Sequence, residues 1–515
     1  MNIIDKLRHK KEFILIISVA LISIVYQLAF YDVLEFHRDE LLYLSLGEHL
    51  DFGYHSVPPF IGLLAFISVH LFGYTLFAAK FFPAIAGGIL IWVSSLIAKE
   101  LKGGLFAQFL TAISIMGSIL FARAFGLLQP VPFDILFWTL SFYLIIRYIN
   151  TTLNKYLLFL GISIGIGFLN KYNILFLVIS LLIVAPITKF RKIFLSKYFY
   201  FSILIAFVIV LPNLIWQIVH HFPVVRHMSE LRDSQLVKMS PSTFIMEQFL
   251  MILPATFVAV PGISYLLFAR QMKEFRLPGF ITVAVLLVLL LLQGKGYYTA
   301  GIYPFLIASG AVFFEKILVK SWSRVILVSV LIYFEWLVLP IGKPIYGPDQ
   351  LVRYFDKMEA VTGNNEARRY EDNAHHKLPQ DYADMLGWNE LTELTSQAWQ
   401  KVENKNSCII YGENYGEAGA ITIIGKKYHL PNAVSFSDNF RYWIPKSFKT
   451  EITDLIYIND EPGDDIKALF ADIQKIGQIN NPLAREYGIG VFLCKKPRSS
   501  FNQFWESRLK SLEMN

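Results

Sequence analysis

The residues of this 515-residue chain best placed to do chemistry lie in its first loop, Phe36-His37-Arg38-Asp39-Glu40-Leu41-Leu42-Tyr43, continuing through Gly53-Tyr54-His55-Ser56-Val57-Pro58-Pro59-Phe60. Paired carboxylates beside a basic residue can accept a proton from a hydroxyl and orient it. Further along, Asp134 follows Gln129-Pro130-Val131-Pro132-Phe133, Lys171 lies in the turn Asn170-Lys171-Tyr172-Asn173, and Lys295 lies in Gly294-Lys295-Gly296-Tyr297-Tyr298. Each of these three falls at the end of a long apolar run, where an ionisable group is costly and usually faces a cavity. Two carboxylates and two or three cations beside such a cavity suit a reaction on a phosphate-linked lipid. The cations hold the phosphate, and a carboxylate kept from bulk water takes the proton of an attacking hydroxyl. Each residue also has a purely structural reading: Asp39 as a helix N-cap, Asp134 as a helix-start charge, and the lysines as side chains reaching lipid phosphates. His220-His221 is a poor metal pair, because adjacent helical residues point apart and no further ligands are spaced around them. No metal and no organic cofactor is expected, and a divalent cation is left open.

The elements that must position these residues follow from the same stretches. An Asp-Glu pair ahead of Leu-Leu-Tyr reads as a helix start, with Asp39 at or near the N-cap and Tyr43 one turn later. That helix is expected to lie along the membrane surface with Leu41, Leu42, Leu44 and Leu46 in the interface. Pro58-Pro59 then turns the chain back toward the bilayer.

With 55% hydrophobic and 17% charged residues and a mean hydropathy of +0.47, the chain lies outside the range of soluble domains. It reads as a polytopic membrane protein. Apolar runs near 13–31, 76–98, 105–122, 131–149, 156–169, 173–188, 199–219, 245–268, 278–292, 298–314 and 325–341 suggest about eleven spans. Alternating them from an inside N-terminus puts 18 Lys+Arg in inner segments and 8, including Lys238, in outer ones, as the positive-inside rule asks. The expected location is the plasma (inner) membrane, multi-pass, with the N-terminus cytoplasmic and the C-terminal domain extracytoplasmic, on the side of Asp39.

The pI of about 9.0 does not point to nucleic acid once the charges are located. Residues 1–342 carry 26 Lys+Arg against 16 Asp+Glu, whereas residues 343–515 carry 21 against 24. The basic excess belongs to the membrane half, where it sets orientation. The tail alternates strand-like runs at 407–411, 453–458 and 488–494 with helical patterns at 391–402 and 465–476, a small α/β layer. The only cysteines, Cys408 and Cys494, read as two buried thiols. The expected fold is thus a polytopic α-helical membrane domain over 1–342 followed by a small extracytoplasmic α/β domain over 343–515.

Taken in order, Asp39-Glu40 with Tyr43, the Gly53-Tyr54 and Pro58-Pro59 stretch, Asp134 opening a span, Gly294 to Tyr298, and the tail's Glu413-Asn414-Tyr415-Gly416-Glu417-Ala418-Gly419 resemble bacterial glycosyltransferase family 39. This is the dolichyl-phosphate-mannose protein mannosyltransferase and aminoarabinose transferase type, with a GT-C fold. The resemblance implies transfer of a sugar from a polyprenyl phosphate carrier to a hydroxyl of a lipid, glycan or protein, with inversion at the anomeric carbon. By match to the family motif, Asp39 would be the general base or its orienting acid, Asp134 the second acidic residue of the site and Lys295 a phosphate contact. The placement of the other polar residues near the outer face adds Glu40 as a catalytic candidate and Arg38, Tyr43, His55, Lys171, Tyr297 and Tyr298 as candidate substrate contacts. Aminoarabinose transferases place a lysine just before the Pro-Pro pair; Val57 stands there here, leaving His55 or Arg38 as electrostatic substitutes. The rival classes are a transporter or flippase of lipid-linked sugars, for which no paired Gly/Pro-interrupted spans are seen, and a lipid-linked polymerase or ligase.

Overall fold

The computed structural model describes residues 3–234 and 240–513, so Lys238 lies outside the described residues. The chain forms two compact units, one of Met1–Tyr31, Asp51–Ile61 and Lys80–Ile345, the other of Asp32–Leu50, Gly62–Ala79 and Tyr346–Asn515.

The first unit is helical. Across the described residues, seven helices are long and apolar enough to cross a membrane: Lys11–Ala29, Leu76–Glu100, Pro130–Thr151, Lys197–Val219, Arg270–Leu291, Gly296–Ile317 and Ser321–Gly342. A further pair, Ile174–Ile187 and Lys189–Leu195, passes together but bends by 107°. The remaining runs read as spans are shorter or interrupted. The run at 156–169 is the helix Lys155–Asn170, that at 105–122 divides at Gly117, and that at 245–268 divides into Pro241–Leu250 and Thr256–Phe268. At that division the chain leaves no room for a side chain, since a Cβ on Gly117 would lie 2.1 Å from the carboxyl carbon of Glu335 on the last of the long helices. The Lys197–Val219 helix leaves Leu204, Phe207, Val208 and Leu211 exposed along one side. A continuous apolar face of that kind is solvated by lipid, which makes this a membrane protein. Where helices must meet without a hydrophobic drive, small residues let backbones touch. A Cβ on Gly310 would sit 1.8 Å from the Val258 carbonyl oxygen, so the Tyr303–Ile317 and Thr256–Phe268 helices cross backbone to backbone there.

The second unit carries a four-stranded sheet. Its strands are β1 (Cys408–Gly412), β2 (Asp454–Asn459), β3 (Phe470–Gln478) and β4 (Gly490–Pro497), in the order β1-β2-β4-β3. β1 and β2 are parallel, with Cys408 opposite Asp454; β4 runs antiparallel to β2 and to β3, and the register shifts between Lys475 and Gly477. Tyr411, Leu455, Tyr457, Phe470, Phe492, Phe501 and Trp505 form the core on the sheet. Cys408 and Cys494 are both free and buried, as expected.

Two expectations are corrected within this unit. The helix read over 465–476 stops at Leu469, and Phe470 begins β3. Phe470, Ile473 and Ile476 recur at a three-residue spacing that imitates a helix face, but the ladder to β4 decides the conformation. The helix of the first loop spans Arg38–Gly47, and its leucines do not dip into lipid. Leu41, Leu44 and Leu46 are fully buried and Leu42 nearly so. Protein covers them: a Cβ on Gly419 of the Tyr415–Ile423 helix would lie 2.9 Å from the Leu41 Cβ. Periodicity reports an apolar stripe; it cannot report whether lipid or protein covers it.

Candidate active site

The candidate residues fall into two groups, one in each unit. In the second unit the start of the Arg38–Gly47 helix is capped by His37, not by Asp39. The His37 Nδ1 accepts the Asp39 backbone N–H at 3.1 Å, and the Glu40 carboxylate accepts the His37 backbone N–H at 2.9 Å. This reciprocal arrangement satisfies the open amides of the first turn. Glu40, fully buried, is thereby committed to the cap. The Asp39 side chain does other work: its Oδ1 accepts a hydrogen bond from the Tyr415 hydroxyl at 3.0 Å. The Arg38 guanidinium lies 4.3 Å from the Tyr415 ring centroid, a cation–π contact. Tyr43, one turn after Asp39, is half-buried in the same helix.

More acidic groups surround this helix start. The His37 Nε2 is 3.9 Å from Asp381 Oδ1, and Asp384 is held by Arg485 at 3.1 Å. Burial alone lowers the His37 pKa, but Asp381, Asp39 and Asp384 outweigh it and the net shift is upward. Burial, then Glu486, pushes Glu417 up to about 8.

In the first unit Asp134 sits in the second turn of the Pro130–Thr151 helix and is buried. Its Oδ1 accepts the Trp138 indole N–H at 3.0 Å, and its Oδ2 accepts an amide N–H of Asn173 at 2.8 Å. The same Asn173 nitrogen donates to the Tyr298 carbonyl at 2.9 Å, so the carboxylate is tied through Asn173 to the segment after Lys295. That segment is also held from the Pro241–Leu250 helix. Glu247 accepts the Gly296 N–H at 3.1 Å, and Gln248 accepts the Thr299 and Tyr303 hydroxyls at 2.6 and 2.7 Å. The Lys171 ammonium lies 4.8 Å from the Tyr297 ring centroid and 5.2 Å from that of Tyr298, which gives the cation two aromatic faces. Asp134, Lys171, Tyr297 and Tyr298 are therefore one cluster, and Lys295 precedes the short helix that carries the two tyrosines, its side chain making no cap bond to it.

His55 is buried, with its ring 5.7 Å from that of His227. The ligand atoms of His55, His227 and Glu230 all lie within 4.8 Å of one another, a set that could hold a divalent cation, although Arg226 also reaches Glu230 at 3.3 Å. The His220-His221 pair makes no such set: the His220 ring stacks on Trp216 at 4.0 Å. Tyr415, Asn173 and Trp138 were not singled out as site residues from sequence. Tyr415 lay within the Glu413 to Gly419 motif, but its partner is 376 positions away.

Residues 56–216 match the family of dolichyl-phosphate-mannose-protein mannosyltransferases. Asp134 and Lys171 lie inside that stretch; Asp39 and Lys295 lie outside it. Over 219 residues the chain is 25% identical to the lipid A galacturonosyltransferase RgtD of Rhizobium johnstonii, a match covering 39% of this chain and 42% of that protein. The chain thus matches less than half the length of this curated relative. Among solved structures it is similar to ArnT from Cupriavidus metallidurans bound to undecaprenyl phosphate, with a TM-score of 0.66 and 14% identity over 93% of this chain and 97% of that one. The apo structure of the same protein gives a TM-score of 0.63 at 14% identity, covering 94% and 98%. These matches agree with the resemblance read from the sequence and bear out the fold class: a helical membrane protein with the fold of ArnT and a small C-terminal α/β region.

The burial of Glu417 sets a pH dependence with a definite sign. A raised folded-state pKa adds stability that is complete below the unfolded value, about 4.3 for glutamate, and is lost as pH rises through the folded value of about 8. Replacing Glu417→Gln keeps an acceptor for the Asn414 N–H but removes the titration. Thermal unfolding of the full-length protein in detergent should therefore fall less steeply between about pH 4.3 and pH 8 in the variant than in the wild type. Parallel curves would show that Glu417 contributes nothing to the pH dependence.

Proposed function

We propose that the protein transfers a monosaccharide from a polyprenyl-phosphate carrier to a hydroxyl of a lipid, glycan or protein at the outer face of the plasma (inner) membrane. The observation that carries this reading is the family match over residues 56–216, which falls on the buried Asp134 network and on Lys171 above its two tyrosines. The similarity to RgtD supports it. No nucleotide triphosphate or nucleotide sugar is at hand outside the membrane, so the sugar arrives already activated on its lipid phosphate.

In the proposed reaction the acceptor O–H bond breaks and its proton passes to a carboxylate. The acceptor oxygen attacks the anomeric carbon on the face opposite the phosphate, the sugar–phosphate C–O bond breaks, and the electron pair leaves on the phosphate oxygen, inverting the centre. Asp39 is the proposed base. Its helix start is already satisfied by His37 and Glu40, so its carboxylate is not needed as a cap. Lys295 and Lys171 are the proposed phosphate contacts, a charge-assisted interaction suited to a lipid phosphate. Asp134, with both oxygens engaged, holds the segment around Tyr298 in place. We assign no cofactor to the transfer. The orientation proposed is N-terminus in the cytoplasm and C-terminus outside, from the 18 to 8 split of basic residues.

The test is consumption of a polyprenyl-phosphate sugar by the purified protein, read as released polyprenyl phosphate, with membrane extract as acceptor and a panel of donor sugars. A flippase would move the donor without releasing the phosphate, and no release from any donor overturns the proposal. Asp39→Asn keeps size and hydrogen-bonding shape but cannot take the proton, so turnover should fall on the order of a hundredfold or more. Near wild-type turnover would remove Asp39 as the base. Lys295→Ala should raise the donor KM by about tenfold or more, with Lys295→Arg losing much less. An unchanged donor KM would return Lys295 to a lipid-facing role. For orientation, on a background lacking Cys408 and Cys494, an impermeant thiol reagent added outside should label a cysteine at position 510 and miss one at 273. The reverse pattern would place the proposed site on the wrong face.

A further inference from the structure

The second unit brings a residue from late in the chain onto Asp39. The Tyr415 hydroxyl donates to Asp39 Oδ1 at 3.0 Å across 376 residues of sequence. Three features hold the phenol there. Tyr415 is the first residue of its helix, and the Asn414 side chain caps that helix by accepting the Gly416 and Glu417 backbone N–H groups at 2.8 and 3.1 Å. The Glu417 carboxylate returns the cap by accepting the Asn414 N–H at 3.2 Å. The Arg38 guanidinium then covers the ring, and it can do so only because residue 416 is glycine: a Cβ there would lie 2.8 Å from Arg38 Cγ. A surface tyrosine meeting a carboxylate by chance would not need two helix starts packed on each other and an arginine over its ring.

We propose that Tyr415 is a positioning residue for Asp39: its hydroxyl fixes the orientation of the carboxylate, making the C-terminal region part of the apparatus that presents the base. This rests on the reading of Asp39 as the base. Burial, with Asp39 beside it, keeps the phenol well above its ordinary pKa, so it remains a donor throughout the working range. The charged groups around the pair are Arg38 on the helix of Asp39 and Asp438 in the Asp438–Tyr442 turn, with Asp384 and Glu486 acting on Arg38.

The experiment compares wild type, Tyr415→Phe, Tyr415→Ala and Asp39→Asn in the full-length protein, measuring kcat and donor KM for release of polyprenyl phosphate beside thermal unfolding. Phe keeps the ring under Arg38 and loses only the hydroxyl, so thermal unfolding should change little. Loss of the hydroxyl should lower kcat about tenfold, the size of one hydrogen bond, with the donor KM unchanged. Tyr415→Ala, which also removes the platform beneath Arg38, should lose more. An inactive Asp39→Asn together with a Tyr415→Phe protein of wild-type kcat overturns the positioning role and leaves the base intact. An active Asp39→Asn overturns the base itself, whatever Tyr415→Phe does. A fall in activity in Tyr415→Phe that follows a fall in unfolding temperature makes Tyr415 a structural residue and likewise overturns the proposal.

Discussion

A helix leaves its first backbone N–H groups without partners, and a side chain that accepts them is turned toward the backbone. At the start of the Arg38–Gly47 helix that task goes to His37 and Glu40. The consequence spreads through the second unit. With the cap made by its neighbours, Asp39 turns to Tyr415, Arg38 lies over that tyrosine, and Leu41 packs against the Tyr415–Ile423 helix at Gly419. The second helix repeats the device with Asn414 and Glu417. Two capping boxes thus set the relative placement of a carboxylate and a phenol far apart in sequence.

The first unit solves a different problem with the same means. Asp134 is a carboxylate on a membrane helix, where an unsatisfied polar atom costs several kcal/mol. Trp138 and Asn173 occupy its two oxygens, and Asn173 passes the constraint on to the Tyr298 carbonyl. Lys171 gains the faces of two tyrosines. A carboxylate held at both oxygens keeps one orientation, which suits groups that must meet a phosphate in one geometry.

Much of this was legible beforehand, and the misses have physical reasons. The apolar runs, the candidate charges at their ends and three of the four strands follow from hydropathy and alternation. The placement of Asp39 at the N-cap followed the general preference for aspartate there, which histidine overrode because Glu40 stands three residues after it. The run at 105–122 read as one span because hydropathy does not register the break at Gly117, where Glu335, more than two hundred positions later, packs against the backbone. The helix read at 465–476 failed because Phe470, Ile473 and Ile476 keep a helical spacing on an edge strand. Tyr415 was beyond reach for the same reason as Glu335: one sequence carries no record of which distant residues touch.

β3 lies at the edge of the sheet, and an edge strand offers its unpaired backbone groups to any strand that approaches. Proteins confined to a bilayer meet copies of themselves often, because diffusion in two dimensions keeps them close and similarly oriented. Here the edge carries Asp472 and Lys475, and its register slips between Lys475 and Gly477. Charge and a bulge on the outermost strand discourage a neighbouring copy from extending the sheet. The irregularity of β3 thus guards against self-association in a crowded membrane, independently of any part the unit plays in chemistry.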